Sequence, residues 1–313
     1  METSVVASLV SKSFGHGNHR VQALDGVSLR IGRGELFGII GPDGSGKTTL
    51  FRILASLMLP DKGRAYIEDF DTVSQYRDIR KIIGYMPGRF SLYQDLSVEE
   101  NLKFFATLFG SDIEKSYPNI RPIYRYLEPF KTRKAGKLSG GMKQKLALCC
   151  ALIHNPKVLL LDEPTTGVDP VSRLEFWEML DLLKAQGITV IASTPYMNEA
   201  MRCQRLCFLQ NGKVVGCDTP ENIRKAFPFK VFSVKSADKF RLLGDLRNFP
   251  ACHACYPFGA YHHFYYKEGT IRMEELESYL ASLQHEEIKI KESEPTIEDC
   301  FMELMSQGGE HGN

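Results

Sequence analysis

Residues Gly41 to Thr48 read Gly-Pro-Asp-Gly-Ser-Gly-Lys-Thr, and these eight positions constrain the fold more than any other part of the chain. Gly41, Gly44 and Gly46, set among Pro42, Asp43 and Ser45, let backbone N–H groups turn inward around phosphate oxygens. Lys47 brings a positive charge for the β- and γ-phosphates, and the Thr48 hydroxyl, with Thr49 behind it, suits a Mg²⁺ ion. The flanks agree with this reading. Leu36–Ile40 is an apolar strand, and Lys47–Leu57 has helical apolar spacing, so the loop runs into the anion-favouring N-terminus of a helix. A strand, a glycine-rich loop and a helix in that order imply nucleotide binding, with ATP and Mg²⁺ as the expected ligands.

The bulk composition narrows the setting. Among 313 residues, 43% are hydrophobic and 25% charged, enough for one large domain plus an appendage. A net charge of +1 gives no global sign of nucleic-acid binding. No apolar run reaches the ~18–20 residues of a membrane span, and Met-Glu-Thr-Ser does not begin a signal peptide. A cytosolic chain is expected, with its eight cysteines as reduced thiols.

Two further motifs follow. Leu138-Ser-Gly-Gly-Met-Lys places Ser139 as the cap of a helix whose first-turn Gly140 and Gly141 leave N–H groups open to phosphate. Val158-Leu-Leu-Leu-Asp-Glu-Pro is an apolar strand ending in two carboxylates. Asp162 suits Mg²⁺, and Glu163 is placed to polarise an attacking water. Gly167-Val-Asp-Pro then turns into another helix. In this order and spacing, from about Val5 to Gly216, the chain resembles the ATP-binding subunit of ATP-binding-cassette (ABC) transporters. It looks like the export branch, in particular the first half of tandem multidrug-efflux ATPases.

The resemblance implies an α/β fold: a P-loop NTPase core of the ABC ATPase type with an antiparallel β lead-in and a helical subdomain. It makes Phe14 the adenine-stacking aromatic, a contact of ~1–3 kcal/mol by the general rule for base stacking. It implies that Ser139, Gly140 and Gly141 close over the nucleotide of a second ATP-binding subunit, and that a membrane permease is the driven partner. The chain would then sit peripherally on the inner face of the cell membrane.

Two positions depart from the family pattern. Gly88 stands where a glutamine usually touches Mg²⁺ and the attacking water, and Pro195 replaces the switch histidine of Ser-Thr-His-Tyr-Met. Proline offers neither an imidazole nor a backbone N–H. Losing one preorganised donor costs ~10²–10³ in rate, and two losses in one unit need not multiply. The expectation is firm ATP binding with weak hydrolysis, Arg89 and Thr194 being the nearby groups available as substitutes. The intact Ser139–Gly141 segment would complete a competent partner's site, so a heterodimer is favoured over a homodimer. The alternatives are a non-hydrolysing regulatory subunit and a soluble ATPase acting on ribosomes or DNA; the single Gly-Lys-Thr loop and the lack of sustained heptads oppose the last.

The expected domains are 1–228 for the ATP-binding domain, with the helical subdomain at about 90–152, then 229–306 for a small α+β accessory domain and 307–313 for a disordered tail. Ser97 and Glu100 form a capping box for a helix through Phe109. Leu92, Tyr93, Phe104 and Phe105 are candidates to line the cleft for a short permease helix. The cluster Cys252, Cys255, His262 and His263 reads as a sheet-edge loop rather than a zinc site, its spacing being shorter than a finger's.

Overall fold

The runs Leu-Phe-Gly-Ile-Ile and Val-Leu-Leu-Leu carry no polar alternation because both become central strands covered on both faces. The computed structural model describes residues 2–309 other than His16, and the chain divides into two compact units between Pro220 and Glu221. The accessory domain was expected to begin near Phe229, after the short helix that straddles this division.

In the first unit β1 (Thr3–Phe14) pairs with β2 (Val21–Gly32), and β3 (Leu36–Ile40) leads into α1 (Lys47–Leu54). Next come β4 (Lys62–Ile67), β5 (Phe70–Asp71), α2 (Tyr76–Ile82) and β6 (Ile83–Met86), then the helices α3 (Val98–Leu108), α4 (Ile113–Tyr124) and α5 (Gly140–Leu152). The unit continues through β7 (Val158–Leu161), α6 (Pro170–Ala185), β8 (Thr189–Thr194), the single turn α7 (Met197–Ala200), β9 (Arg205–Gln210) and β10 (Lys213–Asp218). One sheet runs β2-β1-β4-β5. The other runs β10-β9-β3-β8-β7-β6 and is parallel except for β10.

The two-residue period of the strands sorts their side chains into two cores. Phe37, Ile39, Val158, Leu160 and Ile191 pack with Leu50 and Phe51 of α1 and with the first sheet. Leu36, Leu159, Leu161, Val190 and Ala192 pack with α5 and α6. Helix α1 stops at Leu54 rather than Leu57 because Ser56 turns left-handed at φ +56°, and the Leu57 N–H bonds back to Arg52 O.

The helices α3, α4 and α5 start on Ser97, Asp112 and Ser139, each side chain accepting a first-turn N–H. Such caps contribute about 0.5–2 kcal/mol each. At Ser97 the full box forms, Ser97 N donating to Glu100 Oε2 at 2.7 Å. Helix α4 runs through Pro118 and Pro122, which on local rules would break it. Buried Ile120, Ile123 and Tyr124 hold it in the core that includes α5.

Helix α8 (Pro220–Lys225) begins on proline at its first position. Beyond it, the second unit orders β11 (Lys230–Lys235), α9 (Lys239–Arg247), β12 (Ala254–Phe258), β13 (Tyr261–Tyr266), α10 (Met273–Ser282) and β14 (Lys289–Ser293) into an antiparallel sheet β12-β13-β11-β14. This is the split β-α-β arrangement. Phe232, Val234 and Phe264 pack with α9 and α10, while Asp299 of α11 (Ile297–Gly309) reaches His263 and Tyr265. Burial pushes the Asp299 carboxyl up, but bonds from His263, Thr296 and Tyr265 outweigh it and hold the group below its ordinary range. Of the tail expected to be disordered, 310–313 lie outside the described residues, and α11 extends through Gly309.

Cys252, Cys255, His262 and His263 do not form a shared centre. His262 and His263 are consecutive on β13 and point to opposite faces. His262 Nε2 lies 2.8 Å from Lys239 O, and His263 Nδ1 lies 2.7 Å from Asp299 Oδ1. Cys255 is buried in the edge strand β12, where burial pushes its thiol up to about 12.

Candidate functional site

The loop between β3 and α1 is shaped by steric demands. A Cβ on Gly41 would stand 2.2 Å from Leu209 O, and one on Gly46 would stand 2.3 Å from Ala23 O. Gly44 and Gly46 take φ of +77° and +107°, a region that favours glycine. Pro42, Asp43 and Gly44 are exposed, as is Thr48, while Thr49 is half-buried in the first turn of α1. Buried Lys47 donates from Nζ to Gly41 O at 2.9 Å and Pro42 O at 3.1 Å, and stands 3.3 Å from Glu163 Oε1. The Ser45 hydroxyl is buried with no hydrogen-bond partner among the described residues.

Asp162 and Glu163 follow β7. Ser193 Oγ donates to Asp162 Oδ1 at 2.9 Å and accepts the Glu163 N–H at 2.8 Å. Glu163 itself adopts φ +50°, a conformation that costs a non-glycine residue about 1–3 kcal/mol and is found where surrounding structure enforces it. Beyond the turn, Asp169 caps α6 by accepting the Ser172 N–H at 2.9 Å.

Gly88 lies directly against this pair: a Cβ there would meet Asp162 O at 3.1 Å and Asp162 Oδ2 at 3.9 Å. Pro195 follows β8 and is exposed. Thr194, expected as a stand-in for the missing histidine, is already engaged. Its Oγ1 donates to the Glu199 carboxylate and accepts the Tyr196 N–H at 3.0 Å. Arg89 is exposed and lines a groove instead.

The structure therefore brings Gly41–Thr49, Asp162 and Glu163 together. The other sequence-derived residues lie on other elements. Phe14, 42% exposed, ends β1 with Lys12 Nζ 6.0 Å from its ring. Ser139, Gly140 and Gly141 open α5 beside the Gly167–Ser172 segment, where a Cβ on Gly141 would strike Ser172 Oγ at 2.5 Å. Ser193 and Glu199 were not anticipated. The serine stood in a recognisable strand end, but nothing in the sequence marked a lone glutamate in a one-turn helix.

These residues fit the expected ligands. The glycine-rich loop at the start of α1 and a buried Ser45 hydroxyl without a partner among the described residues suit phosphate oxygens. The oxygen donors of Asp162 and Thr48 suit a hard cation such as Mg²⁺.

The groove, about 260 Å³, lies near β6 and α5, with Met86, Leu92, Phe105, Phe109, Ala147 and Arg89 in its wall. Of the aromatics expected there, Phe105 lines it, whereas Tyr93 and Phe104 are exposed and pack edge-to-face with ring centroids 4.8 Å apart. His154 stacks on Phe109 at 4.0 Å in the same wall, and burial pushes its imidazole down.

Fold and site together define an ATP-binding cassette, and comparison with known proteins agrees. A family profile described as ABC transporter matches residues 24–166. The chain is 36% identical over 297 residues to the probable multidrug ABC transporter ATP-binding protein YbhF of Escherichia coli (strain K12), covering 90% of this chain and 49% of that protein. It is 39% identical over 214 residues to the Nod factor export ATP-binding protein I of Rhizobium sp. (strain N33), covering 67% of this chain and 69% of that protein. The chain thus spans about half the length of YbhF. A solved dimeric ATP-binding cassette in a post-hydrolysis state bound to ADP and Pi is 29% identical with a TM-score of 0.63, covering 69% of this chain and 98% of that one. The chain belongs to the ABC transporter ATP-binding family, in its export-type branch. Members of this family generally bind ATP with Mg²⁺ and hydrolyse it. Among the described residues no helix is long and apolar enough to cross a membrane.

Proposed function

We propose that this chain is the ATP-binding subunit of an export transporter, binding ATP and Mg²⁺ between two such subunits to drive a separate membrane permease, with weak hydrolysis at its own site. The observation that carries the proposal is the asymmetry of that site. Lys47, the loop glycines, Asp162 and Glu163 are assembled, while Gly88 and Pro195 leave exposed the places of the usual glutamine and histidine. Gly41–Thr49 would hold the phosphates, Thr48 and Asp162 the Mg²⁺, and Phe14 the adenine. Glu163 would orient water. Ser139, Gly140 and Gly141 would serve the second subunit's nucleotide; the dimeric relative bound to ADP and Pi supports this arrangement. A partner distinct from this chain follows from the weak site, since two copies would both lack the same groups. The apolar groove suits a short permease helix. Gly88 and Pro195 together also support a second reading, a regulatory subunit whose ATP is bound and not turned over.

The test is nucleotide affinity beside phosphate release for the purified chain, with Lys47→Ala as control. Removing Lys47 should weaken ATP binding about 10- to 100-fold, the scale of a charge-assisted contact worth about 1.5–3 kcal/mol. Wild-type turnover should lie about 10²-fold below ordinary transporter rates. Turnover at ordinary rates, abolished in Glu163→Gln, would overturn the weak-hydrolysis reading and favour a homodimer.

A further inference from the structure

The Glu199 carboxylate is 4% exposed and, among the described residues, forms no ion pair with any Lys, Arg or His. Its partners are two hydroxyls. Thr165 Oγ1 donates to it, 2.9 and 3.0 Å from its two oxygens, and Thr194 Oγ1 donates to Oε2. Burying an acid without a cation is costly, and an apolar residue of similar size would serve packing better. Thr165 lies two residues after Glu163, and Thr194 lies immediately before Pro195. Glu199 therefore fastens the turn that carries Glu163 to the strand end that has lost its histidine. Two other ties join the same segments: Ser193 Oγ holds Asp162 Oδ1 and the Glu163 N–H, and Arg173 of α6 stacks on Tyr196 at 4.1 Å.

We infer that Glu199 is a positioning residue, acting through Thr165 and Thr194 to hold the Glu163–Asp169 turn, and with it the Glu163 carboxylate, in place beside Lys47. Its catalytic consequence rests on the reading of Glu163 as the group that orients water; the bracing itself does not. Glu163 is held at φ +50°, so a turn released from Glu199 and Thr165 has a relaxed backbone available to it. A displaced carboxylate would leave nucleotide grip intact, because Lys47 and the glycine loop lie outside the clamp.

The experiment compares hydrogen–deuterium exchange, without nucleotide, in the wild type, Glu199→Leu, Glu199→Gln and Thr165→Val. Glu199→Leu should raise exchange about tenfold or more in peptides covering 163–169 and 194–198, with other peptides unchanged. Glu199→Gln, which keeps one acceptor oxygen, should fall between it and wild type. Thr165→Val removes one donor without a charge and should reproduce the rise at 163–169 even where Glu199→Leu folds poorly. Unchanged local exchange in Thr165→Val and Glu199→Gln, or a uniform rise across the chain, would overturn the inference. In turnover assays Glu199→Leu should lower kcat about tenfold with KM and ATP affinity within about twofold, and equal losses in both would also overturn it. A Glu163→Gln control that leaves turnover unchanged would sink the catalytic reading of Glu163 alone, the exchange result still deciding the bracing.

Discussion

At the phosphate loop, Gly41 and Gly46 stand where a methyl group would strike backbone, and Gly44 and Gly46 take left-handed turns. On the carboxylate side the positions peculiar to this chain are the reverse. Gly88 is exposed, takes no left-handed φ, and has only Asp162 O within 3.1 Å of a would-be Cβ. Pro195 is exposed at a strand end. The loop's glycines are demanded by geometry, whereas at Gly88 geometry merely permits a glycine. Different kinds of constraint thus act on the two sides of one site, and on the proposed reading gripping a nucleotide and turning it over are separable.

The strongest way to break this comparison is to restore what the carboxylate side lacks. The pair Gly88→Gln and Pro195→His should raise turnover by about 10²-fold, the value of one preorganised donor to a developing charge, with the two effects less than multiplicative. ATP affinity should stay within a few-fold. Measured phosphate release that does not rise in the double variant would mean that the missing side chains are not what limits the site. The tight 3.1 Å approach to Asp162 O asks the neighbouring backbone for only a few tenths of an ångström.

The same substitution at two glycines sharpens the contrast. Gly46→Ala puts a methyl group 2.3 Å from Ala23 O at φ +107°, and the loop must move to admit it. ATP affinity should drop at least about 30-fold, which corresponds to about 2 kcal/mol of lost binding. Gly88→Ala should change affinity by less than about twofold. Isothermal titration of both variants decides the matter, and equal losses would mean that Gly88 carries a conformational demand of its own.

The sequence shows this division unevenly, for physical reasons. The phosphate loop stood out because its chemistry needs fixed residues at fixed spacing, and the structure places Lys47 Nζ 3.3 Å from Glu163 Oε1. Strand β3 matched its apolar run to the residue, since burial on both faces leaves no polar position to blur the ends. Helix α1 fell short of Leu57, because a left-handed Ser56 has no signature in composition. Thr194 was read as a group available to substitute for the histidine, but its acceptor Glu199, five residues on in the one-turn helix α7, already engages it. Helix α4 keeps two prolines because its buried face outweighs the local cost. Local rules thus marked the loop and not the Glu199 contacts.

The smallest expected effect concerns Phe14, at the end of β1. Its ring ends β1, 42% exposed, with Lys12 Nζ 6.0 Å away over the face. At that distance and exposure the cation contributes little, so the ring is available to a base. A base stacked on one face of a half-exposed ring should gain about 1 kcal/mol, the low end of the range for such contacts. Phe14→Ala should then weaken ATP binding about fivefold, and Phe14→Tyr should restore it, because both rings offer the same face. Tripolyphosphate binding should be unchanged in Phe14→Ala, since the phosphates belong to the loop. A loss shared equally by tripolyphosphate and ATP would show that Phe14 supports the loop rather than the base, and the grip would then extend further along β1 than the glycines alone indicate.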